Sequence, residues 1–364
     1  MNYLYHLYIE FLAKHGISRF FGDITFYVIP LFIIFCVLLV IILALVLAER
    51  KLLGFFTQRK GPNRVGLWGI LQTVADAFKL LCKENITPKG VNRFLFNLAP
   101  VMIFIPVMII LGLIPYSAEF TFMDFRTNIL IYIVFAGFPL LCILLGGWAS
   151  NNKYSLIGAV RNVAQVLAYE LPIAFTVLGI IILSSSMNLR EITLAQSSSN
   201  GVFGWFWLPC ILGLVIMFIS MLAELNRCPF DLPEAESELI CGYNTEYSGM
   251  RFAMFYLSEY GMLFANSLFI AILFFGGYLS PFGKYLSTML FPDTVGGIMI
   301  YFEQVCWLLL KAFLIIFVVI WVRATLPRMA SFDLLKFSWT ILLPVSIINF
   351  LLMTVIKFMG GIYA

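Results

Sequence analysis

The segment YVIPLFIIFCVLLVIILALVLA (residues 27–48) contains no charged side chain along its whole length. At ~1.5 Å per residue, a helix of this length spans about 33 Å, which is enough to cross a hydrocarbon core of roughly 30 Å. In lipid every backbone N–H and C=O group must be bonded within the protein, and a helix achieves this within one segment. The segment therefore predicts a transmembrane helix.

Seven further apolar runs of similar character follow along the chain. The composition agrees, since 62% of the residues are hydrophobic and only 12% are charged. These features predict an all-α integral membrane protein with eight transmembrane helices. The additional spans are expected near residues 98–115, 129–148, 163–184, 206–223, 252–276, 300–321 and 339–358.

Most of the 23 Lys and Arg residues lie in the odd-numbered loops between these spans. Basic residues accumulate on the cytoplasmic or matrix side of membrane proteins. We therefore expect the odd loops to face inward and both termini to lie on the outer or intermembrane side. Residues 27–364 would form a single transmembrane domain, preceded by an N-terminal interfacial segment, 1–26. The inner loops are predicted at 49–97, 149–162, 224–251 and 322–338.

The first inner loop contains LWGILQTVADAFKLLCKE (residues 67–84). Its apolar side chains recur at helical spacing on one face, whereas Gln72, Asp76, Lys79 and Lys83 share the other face. This pattern predicts an amphipathic helix that lies along the membrane surface or packs under the bundle. Amphipathic surface helices in the inner loops complete the predicted fold.

Several kinds of chemistry are disfavoured by what the sequence lacks. The only histidines, His6 and His15, precede the first span, so no pair of transmembrane imidazoles can hold a haem. The seven cysteines form no CxxC pair, and neither glycine-rich nucleotide motif is present. We expect no metal site, no covalently bound cofactor and no nucleic-acid partner. Electrons for any redox reaction must come from another subunit.

Four ionisable residues fall within or at the end of predicted spans: Glu170, Glu224, Glu259 and Lys311. A charge facing lipid costs roughly 2.5–3.5 kcal/mol or more, so these side chains must face the bundle interior. If only one such carboxylate were present, a hydrogen bond that packs two helices together would explain it. Three carboxylates and a lysine favour a proton relay, in which each member gains and loses a proton.

The stretch AELNRCPFDLPEAESELICGYNTEYSG (residues 223–249) concentrates six of the 19 acidic residues. Acidic runs are ordinarily solvated. Here apolar residues such as Phe230, Leu232 and Tyr243 alternate with the acids, which favours an ordered loop docked on the bundle. Close packing of like charges makes protonation sensitive to nearby charge. The acidic residues are Glu224, Asp231, Glu234, Glu236, Glu238 and Glu246.

Four stretches of the chain resemble one protein family. They are AERKLLGFFTQRKGPNRVG (48–66), GGWASNNKYSLIGAVRNVAQVLAYELP (146–172), AELNRCPFDLPEAESELICGYNTEYSGMRFAMF (223–255) and RATLPR (323–328). They are similar to the signature segments of the H-type, eight-span membrane subunit of respiratory complex I, the proton-pumping NADH:quinone oxidoreductase. The similarity runs from about Ala48 to Leu343.

The resemblance implies that the subunit forms much of the chamber through which a quinone such as ubiquinone enters from the bilayer. Quinone is then the substrate, and FMN and the iron–sulfur clusters belong to partner subunits. The implied partners are the peripheral quinone-reducing subunits and the antiporter-like membrane subunits. The implied location is the mitochondrial inner membrane or a bacterial plasma membrane, and the sequence leaves both open.

The matching motifs also imply roles for individual residues. In this family Arg-Tyr-Asp commonly follows RATLPR, whereas Ala330, Ser331 and Phe332 occupy those places here and Asp333 follows. The implied proton path and coupling loop comprise Glu170, Glu224, Glu259, Glu234, Glu236, Glu238, Glu246, Asp76 and Lys311. The residues implied to line the quinone chamber or pair with the acidic loop are Arg50, Arg59, Arg227, Arg323 and Arg328.

Two alternatives are weighed beside this interpretation. One is a homologous membrane-anchor subunit of a related hydrogenase or other reductase, against which the complete acidic loop and the Gly-Pro-Asn turn both count. The other is an autonomous proton-coupled transporter, because intramembrane Glu and Lys residues also suit substrate sites. The sequence shows no inverted repeat that would support a transporter.

Overall fold

The computed structural model describes residues 19–197, 201–233, 240–283, 285 and 293–360. Within these ranges the chain is helical and contains no strand. Seven of the described helical segments are long and apolar enough to cross a membrane, and the shorter apolar helix Ile211–Glu224 takes the place of the fifth predicted span. The predicted all-α membrane fold is confirmed, and its eight crossings agree with the structure, one of them being short.

The helices are numbered in chain order. They are α1 (Arg19–Phe56), α2 (Gln72–Cys82), α3 (Arg93–Met102), α4 (Phe104–Leu113), α5 (Asn128–Ala149), α6 (Lys153–Ser184), α7 (Leu189–Ala195), α8 (Ile211–Glu224), α9 (Gly249–Phe274), α10 (Asp293–Thr325), α11 (Ser331–Phe337) and α12 (Leu343–Phe358). Short 3-10 turns lie at Leu67–Gly69, Gly201–Gly204 and Gly242–Asn244, and the π-helical segment Ser338–Leu342 joins α11 to α12.

Two of the membrane crossings are interrupted close to prolines. The break between α3 and α4 falls at Ile103, because Pro106 cannot donate an amide hydrogen to the carbonyl of Met102 and its ring crowds that carbonyl. Pro344 follows the π-helical segment, where the wider turn accommodates its ring. Both breaks therefore lie where a proline removes one backbone hydrogen bond.

Helix α9 occupies the centre of the bundle. In its most apolar 18-residue segment 89% of the residues are buried, compared with 22% in the corresponding segment of α1. It contacts α1, α2, α3, α4, α7, α8 and α10. The peripheral helices keep exposed apolar side chains such as Val40, Phe313 and Leu351 on their outer faces, as expected for surfaces that contact lipid. Polar residues on α9 are consequently shielded from lipid by the surrounding helices.

The loops separate into two groups at opposite ends of the bundle. Among the odd-numbered loops, the Ser248 hydroxyl donates to the carbonyl of Glu84 at 3.3 Å. Among the even-numbered loops, Asn188 Nδ2 donates to Asp124 Oδ1 at 2.7 Å. The arginine- and lysine-rich loops therefore share one end, as the charge pattern predicted. That this end faces inward, with the termini outside, stays a prediction.

Several helices begin earlier than the hydropathy pattern suggested, α6 and α1 by the most. Helix α6 starts at Lys153, where the side chain of Asn152 caps it by accepting from the amide of Tyr154 at 3.0 Å. Most of the predicted inner loop 149–162 is therefore helix. The first turns of this helix are polar, so the hydropathy pattern does not detect them, whereas the capping residue Asn152 marks where the helix begins. Helix α1 begins at Arg19, so it includes the end of the predicted interfacial segment 1–26, whose earlier residues lie outside the described ranges.

The fifth crossing contains only 14 helical residues, about 21 Å at ~1.5 Å per residue. The fully buried side chain of Gln196 supplies hydrogen-bond partners to backbone groups near this short crossing. Its Nε2 donates to the carbonyl of Ile272 at 2.9 Å, and its Oε1 accepts from the amides of Phe206 at 3.3 Å and Gly276 at 3.0 Å. Irregular backbone at membrane depth requires such partners from within the protein.

Candidate functional site

A cavity inside the helical bundle brings two of the predicted carboxylates together. Helices α5, α6 and α9 and the C-terminal end of α8 surround it. Its volume is about 40 Å³, which exceeds the roughly 10–15 Å³ that one buried water needs. The polar side chains that line it belong to Asn162, Glu224, Asn226, Tyr243, Ser258 and Glu259.

Glu224 is the last residue of α8, and its carboxylate is bound by a side chain of α9 that is itself held by a side chain of α5. Asn266 of α9 donates its Nδ2 to Glu224 Oε2 at 3.2 Å. The hydroxyl of Tyr132 on α5 donates to Asn266 Oδ1, and the Tyr132 ring stacks on Phe269 with ring centroids 3.5 Å apart. Because these donors are neutral, Glu224 can gain or lose a proton while the same groups still hold it.

Glu259 of α9 is held by the end of the acidic stretch. The hydroxyl of Tyr243 donates to Glu259 Oε1 at 2.8 Å, and Tyr243 is itself only 1% exposed. The carbonyl of Tyr243 accepts from the Ser155 hydroxyl of α6 at 3.2 Å. A Cβ at Gly158 would overlap the backbone of Gly242, so the glycine permits this close approach. This part of the acidic stretch is therefore docked on the bundle.

Glu170 lies on α6 beside the cavity but is not part of its lining. Its Oε1 packs so closely against Gly137 of α5 that a Cβ at that position would overlap it. The neighbouring Ala136 lines the cavity. The carboxylates of Glu170 and Glu224 are close enough for their charges to interact. The structure thus gathers the three predicted intramembrane acids in one region and places two of them on a shared cavity.

Gln165 fixes the chain where it leaves α8. Its fully buried Nε2 donates to the carbonyls of Ala223 at 2.7 Å and Phe230 at 2.8 Å, and to Asn226 Oδ1 at 3.3 Å. These bonds join α6 to both ends of the turn that follows Glu224. The position of the Glu224 carboxylate is consequently set by α6 as well as by α9.

The remaining acids of the loop have separate partners. Glu246 Oε1 accepts from Asn152 Nδ2 at 2.6 Å, next to the start of α6. Asp231 Oδ2 lies 3.3 Å from Arg328 Nη2, so Asp231 pairs with an arginine of the seventh loop, the loop that departs from the family pattern. Asp333 of the same loop lies in the first turn of α11. The predicted residues Glu234, Glu236 and Glu238 lie outside the described ranges.

Two of the predicted arginines converge on Glu49, a carboxylate that sequence reasoning did not single out. Arg227 Nη1 lies 3.1 Å from Glu49 Oε1, and Arg323 Nη1 contacts the same oxygen. Glu49 is only 4% exposed, and Arg227 also lies 4.6 Å over the ring of Tyr260. This buried ion cluster joins α1, α10 and the turn that follows α8.

Arg50 and Asp76 form a second ion pair, between α1 and the amphipathic α2, at 2.5 Å. Partial burial alone would raise the pKa of Asp76, but the hydrogen bond from Arg50 and its charge outweigh burial and hold the pKa below its ordinary value of 3.8. An acid with a lowered pKa stays ionised near neutral pH, so this geometry suits the attachment of α2. Arg59, another predicted chamber residue, lies exposed on the loop after α1.

Lys311 of α10 is buried in a different place. Its Nζ donates to the carbonyls of Gly277 at 2.7 Å and Leu279 at 2.6 Å, and it lies 4.1 Å over the ring of Trp205. It therefore binds carbonyls just beyond the C-terminal end of α9, where a cation is favourable. It does not line the cavity that holds Glu224 and Glu259.

Sequence reasoning also missed the neutral residues that hold the acids, namely Asn266, Tyr132 and Tyr243. A polar side chain in an apolar helix was the available signal for Asn266, since burial of an amide in lipid requires a partner. For Glu49, the signal was a carboxylate at the end of the first span, directly before the basic run that starts at Arg50.

The described residues contain no group of three or more His, Cys, Asp or Glu side chains that could hold a metal ion. Fold and site together define a polytopic helical membrane protein with partly buried acids on a cavity large enough to hold water. Residues 29–354 match a family model described as NADH dehydrogenase. The chain therefore belongs to this family.

Curated relatives share most of the chain. A protein of Bacillus cytotoxicus, named as the H subunit of NADH-quinone oxidoreductase, is 44% identical over 313 residues, which cover 86% of this chain and 88% of the relative. A protein of Brevibacillus brevis with the same name is 42% identical over 343 residues, covering 94% and 96%. The predicted membership of the H-type membrane subunits is thereby confirmed.

Proposed function

We propose that the chain is the membrane subunit of a proton-translocating NADH:quinone oxidoreductase that forms the quinone entry chamber and couples quinone reduction to proton transfer through buried carboxylates. The family membership and the names of the relatives support its place in a multisubunit oxidoreductase. The observation that carries the coupling role is the placement of Glu224 and Glu259 on one cavity between the spans, which Asn162, Asn226, Tyr243 and Ser258 also line.

The division of labour follows from the side chains present. FMN and iron–sulfur clusters in peripheral partner subunits deliver electrons to the quinone, whose tail lies among the helices of this chain. Arg50, Arg59, Arg227, Arg323 and Arg328 line or shape the end of the chamber near the inner loops. Antiporter-like membrane subunits receive the effect of the proton movement, and the complex lies in a mitochondrial inner membrane or a bacterial plasma membrane.

Reduction of a quinone consumes protons together with electrons, so it changes the charge balance beside the acidic loop. The loop residues Glu234, Glu236, Glu238 and Glu246 respond to this change by exchanging protons. The docked end of the loop contacts Glu259 through Tyr243, and the other end of the acidic stretch begins at Glu224. Reprotonation then proceeds through Glu224, Glu170 and Glu259.

Glu259→Gln is expected to slow quinone reduction coupled to proton transfer about tenfold, which corresponds to ~1.4 kcal/mol in the activation barrier. Glutamine can still accept the hydrogen bond from Tyr243, but it cannot exchange a proton. The measurement is NADH:quinone turnover together with acidification of sealed membrane vesicles that contain the assembled complex.

The matched control is Glu191→Gln, because Glu191 lies on α7, exposed and outside the cavity lining. This control should retain wild-type turnover and acidification. Wild-type values in Glu259→Gln itself would contradict a role for this carboxylate.

A bulky side chain on α2 is expected to slow turnover with a long-tail quinone severalfold more than turnover with a short-tail analogue. Ala75 is suitable because it is exposed and adjacent to Asp76, whereas Gly66 has a left-handed φ of 72° and a Cβ there would meet Leu71. We therefore choose Ala75→Trp and compare it with Ala195→Trp on α7, also exposed. Equal slowing with both quinones would argue against a tail path beside α2.

Isolation of the native assembly would separate the proposal from its rivals. Co-migrating NADH-oxidising, quinone-reducing and antiporter-like subunits are expected. A hydrogenase module in their place would favour the anchor-subunit alternative, and a chain that migrates alone would favour the transporter.

A further inference from the structure

Asn162 of α6 has a buried amide that lines the cavity beside Glu224 and Glu259. Its side chain is 0% exposed. No described residue forms a hydrogen bond with either Nδ2 or Oδ1. Val166, one helical turn further along α6, lines the same cavity, so this face of the helix is turned toward the acids.

An amide buried among apolar groups without partners is costly, since its transfer from water costs roughly 2–7 kcal/mol. The Nε2 of the neighbouring Gln165 avoids this cost by donating to Ala223, Asn226 and Phe230, whereas its Oε1 has no hydrogen-bond partner among the described residues. Asn162 faces the cavity instead, and the cavity is large enough to hold water. An asparagine amide offers two donors and two acceptor lone pairs, so it can bind a water on each side.

We propose that Asn162 is a positioning residue that holds the waters through which protons pass between Glu224 and Glu259. The amide both donates and accepts, so hydrogen bonds along the water chain can point toward either carboxylate. Tyr243 and Ser258 complete the polar lining next to Glu259, and Asn226 does so next to Glu224. The inference rests on the proposed coupling function and adds a residue that exchanges no proton itself.

The test compares Asn162→Leu, which keeps a similar size but removes the polar atoms, with Asn162→Ser, which keeps a hydroxyl and leaves space for one more water. Asn162→Leu is expected to lower coupled quinone turnover about tenfold, the change produced by one hydrogen bond of ordinary net strength. Its solvent deuterium isotope effect should also exceed that of the wild type. Asn162→Ser should keep at least half of the activity and a wild-type isotope effect.

Assembly is measured independently as NADH oxidation by a water-soluble acceptor in the same membranes. If Asn162→Leu does not assemble, the isosteric pair Asn162→Val and Asn162→Thr replaces it, and the threonine variant should be the more active. Wild-type turnover and isotope effect in the leucine variant would overturn the inference. Equal loss in the serine and leucine variants, or in the threonine and valine variants, would also overturn it, because packing alone would then explain the effect.

The outcome for Glu224→Gln separates this inference from the proposed function. If Glu224→Gln lowers coupled turnover and Asn162→Leu does not, the proposed role of Asn162 is wrong and the carboxylate coupling stands. Unaffected turnover in both variants removes the carboxylate coupling itself.

Discussion

Glu224→Gln is expected to lower quinone turnover coupled to proton transfer by roughly 100-fold, the lower end of the range for loss of a group that transfers protons, while the complex still assembles. Glutamine is close in size to glutamate, and its side-chain oxygen can still accept from Asn266 Nδ2, now 3.2 Å from Glu224 Oε2. Packing at the end of α8 should therefore survive, and only titration is lost.

The measurement is NADH:quinone turnover and vesicle acidification, normalised to NADH oxidation by a water-soluble acceptor. Glu84→Gln is the matched control, because Glu84 is exposed on the first inner loop and Ser248 binds its backbone carbonyl, not its carboxylate. Normal acidification in Glu224→Gln would show that protons do not pass through this carboxylate.

Glu49→Ala is expected to have the largest effect on stability, with a loss on the order of 3–5 kcal/mol, the cost of removing one partner from a buried ion pair. The change leaves Arg227, which is 8% exposed, and the partly buried Arg323 facing each other without their shared carboxylate. We expect little assembled complex in membranes and a lower temperature of thermal inactivation for what remains.

The adjacent residue supplies the control for this prediction. Arg50→Ala breaks the ion pair with Asp76, whose partners have side chains that are 46% and 26% exposed, and exposed pairs contribute about 0–1 kcal/mol. Its complex should assemble normally. Glu49→Gln keeps the size of the side chain and removes the charge, so it should resemble the alanine variant. Normal thermal stability of Glu49→Gln would show that the charge cluster does not stabilise this part of the bundle.

The site was predictable in part. Glu170, Glu224 and Glu259 could be found because a carboxylate in an apolar segment is costly wherever the helix lies, which makes it conspicuous without any knowledge of its neighbours. Asn162 could not be found in this way. The segment 146–172 also contains Asn151 and Asn152, and Asn152 caps α6. An asparagine in this segment therefore carries no local sign that its side chain lines a cavity.

What the sequence determined by itself is the membrane character of the chain, the approximate crossings, the amphipathic α2 and the grouping of the basic loops. These features follow from composition and periodicity, because the preference of each side chain for lipid or for water does not depend on its distant neighbours. Only the tertiary structure decided that Glu224 and Glu259 share a cavity, that Arg227 and Arg323 bind Glu49, and that Lys311 lies elsewhere. Such contacts join residues far apart in the chain, and they depend on how the helices pack around α9.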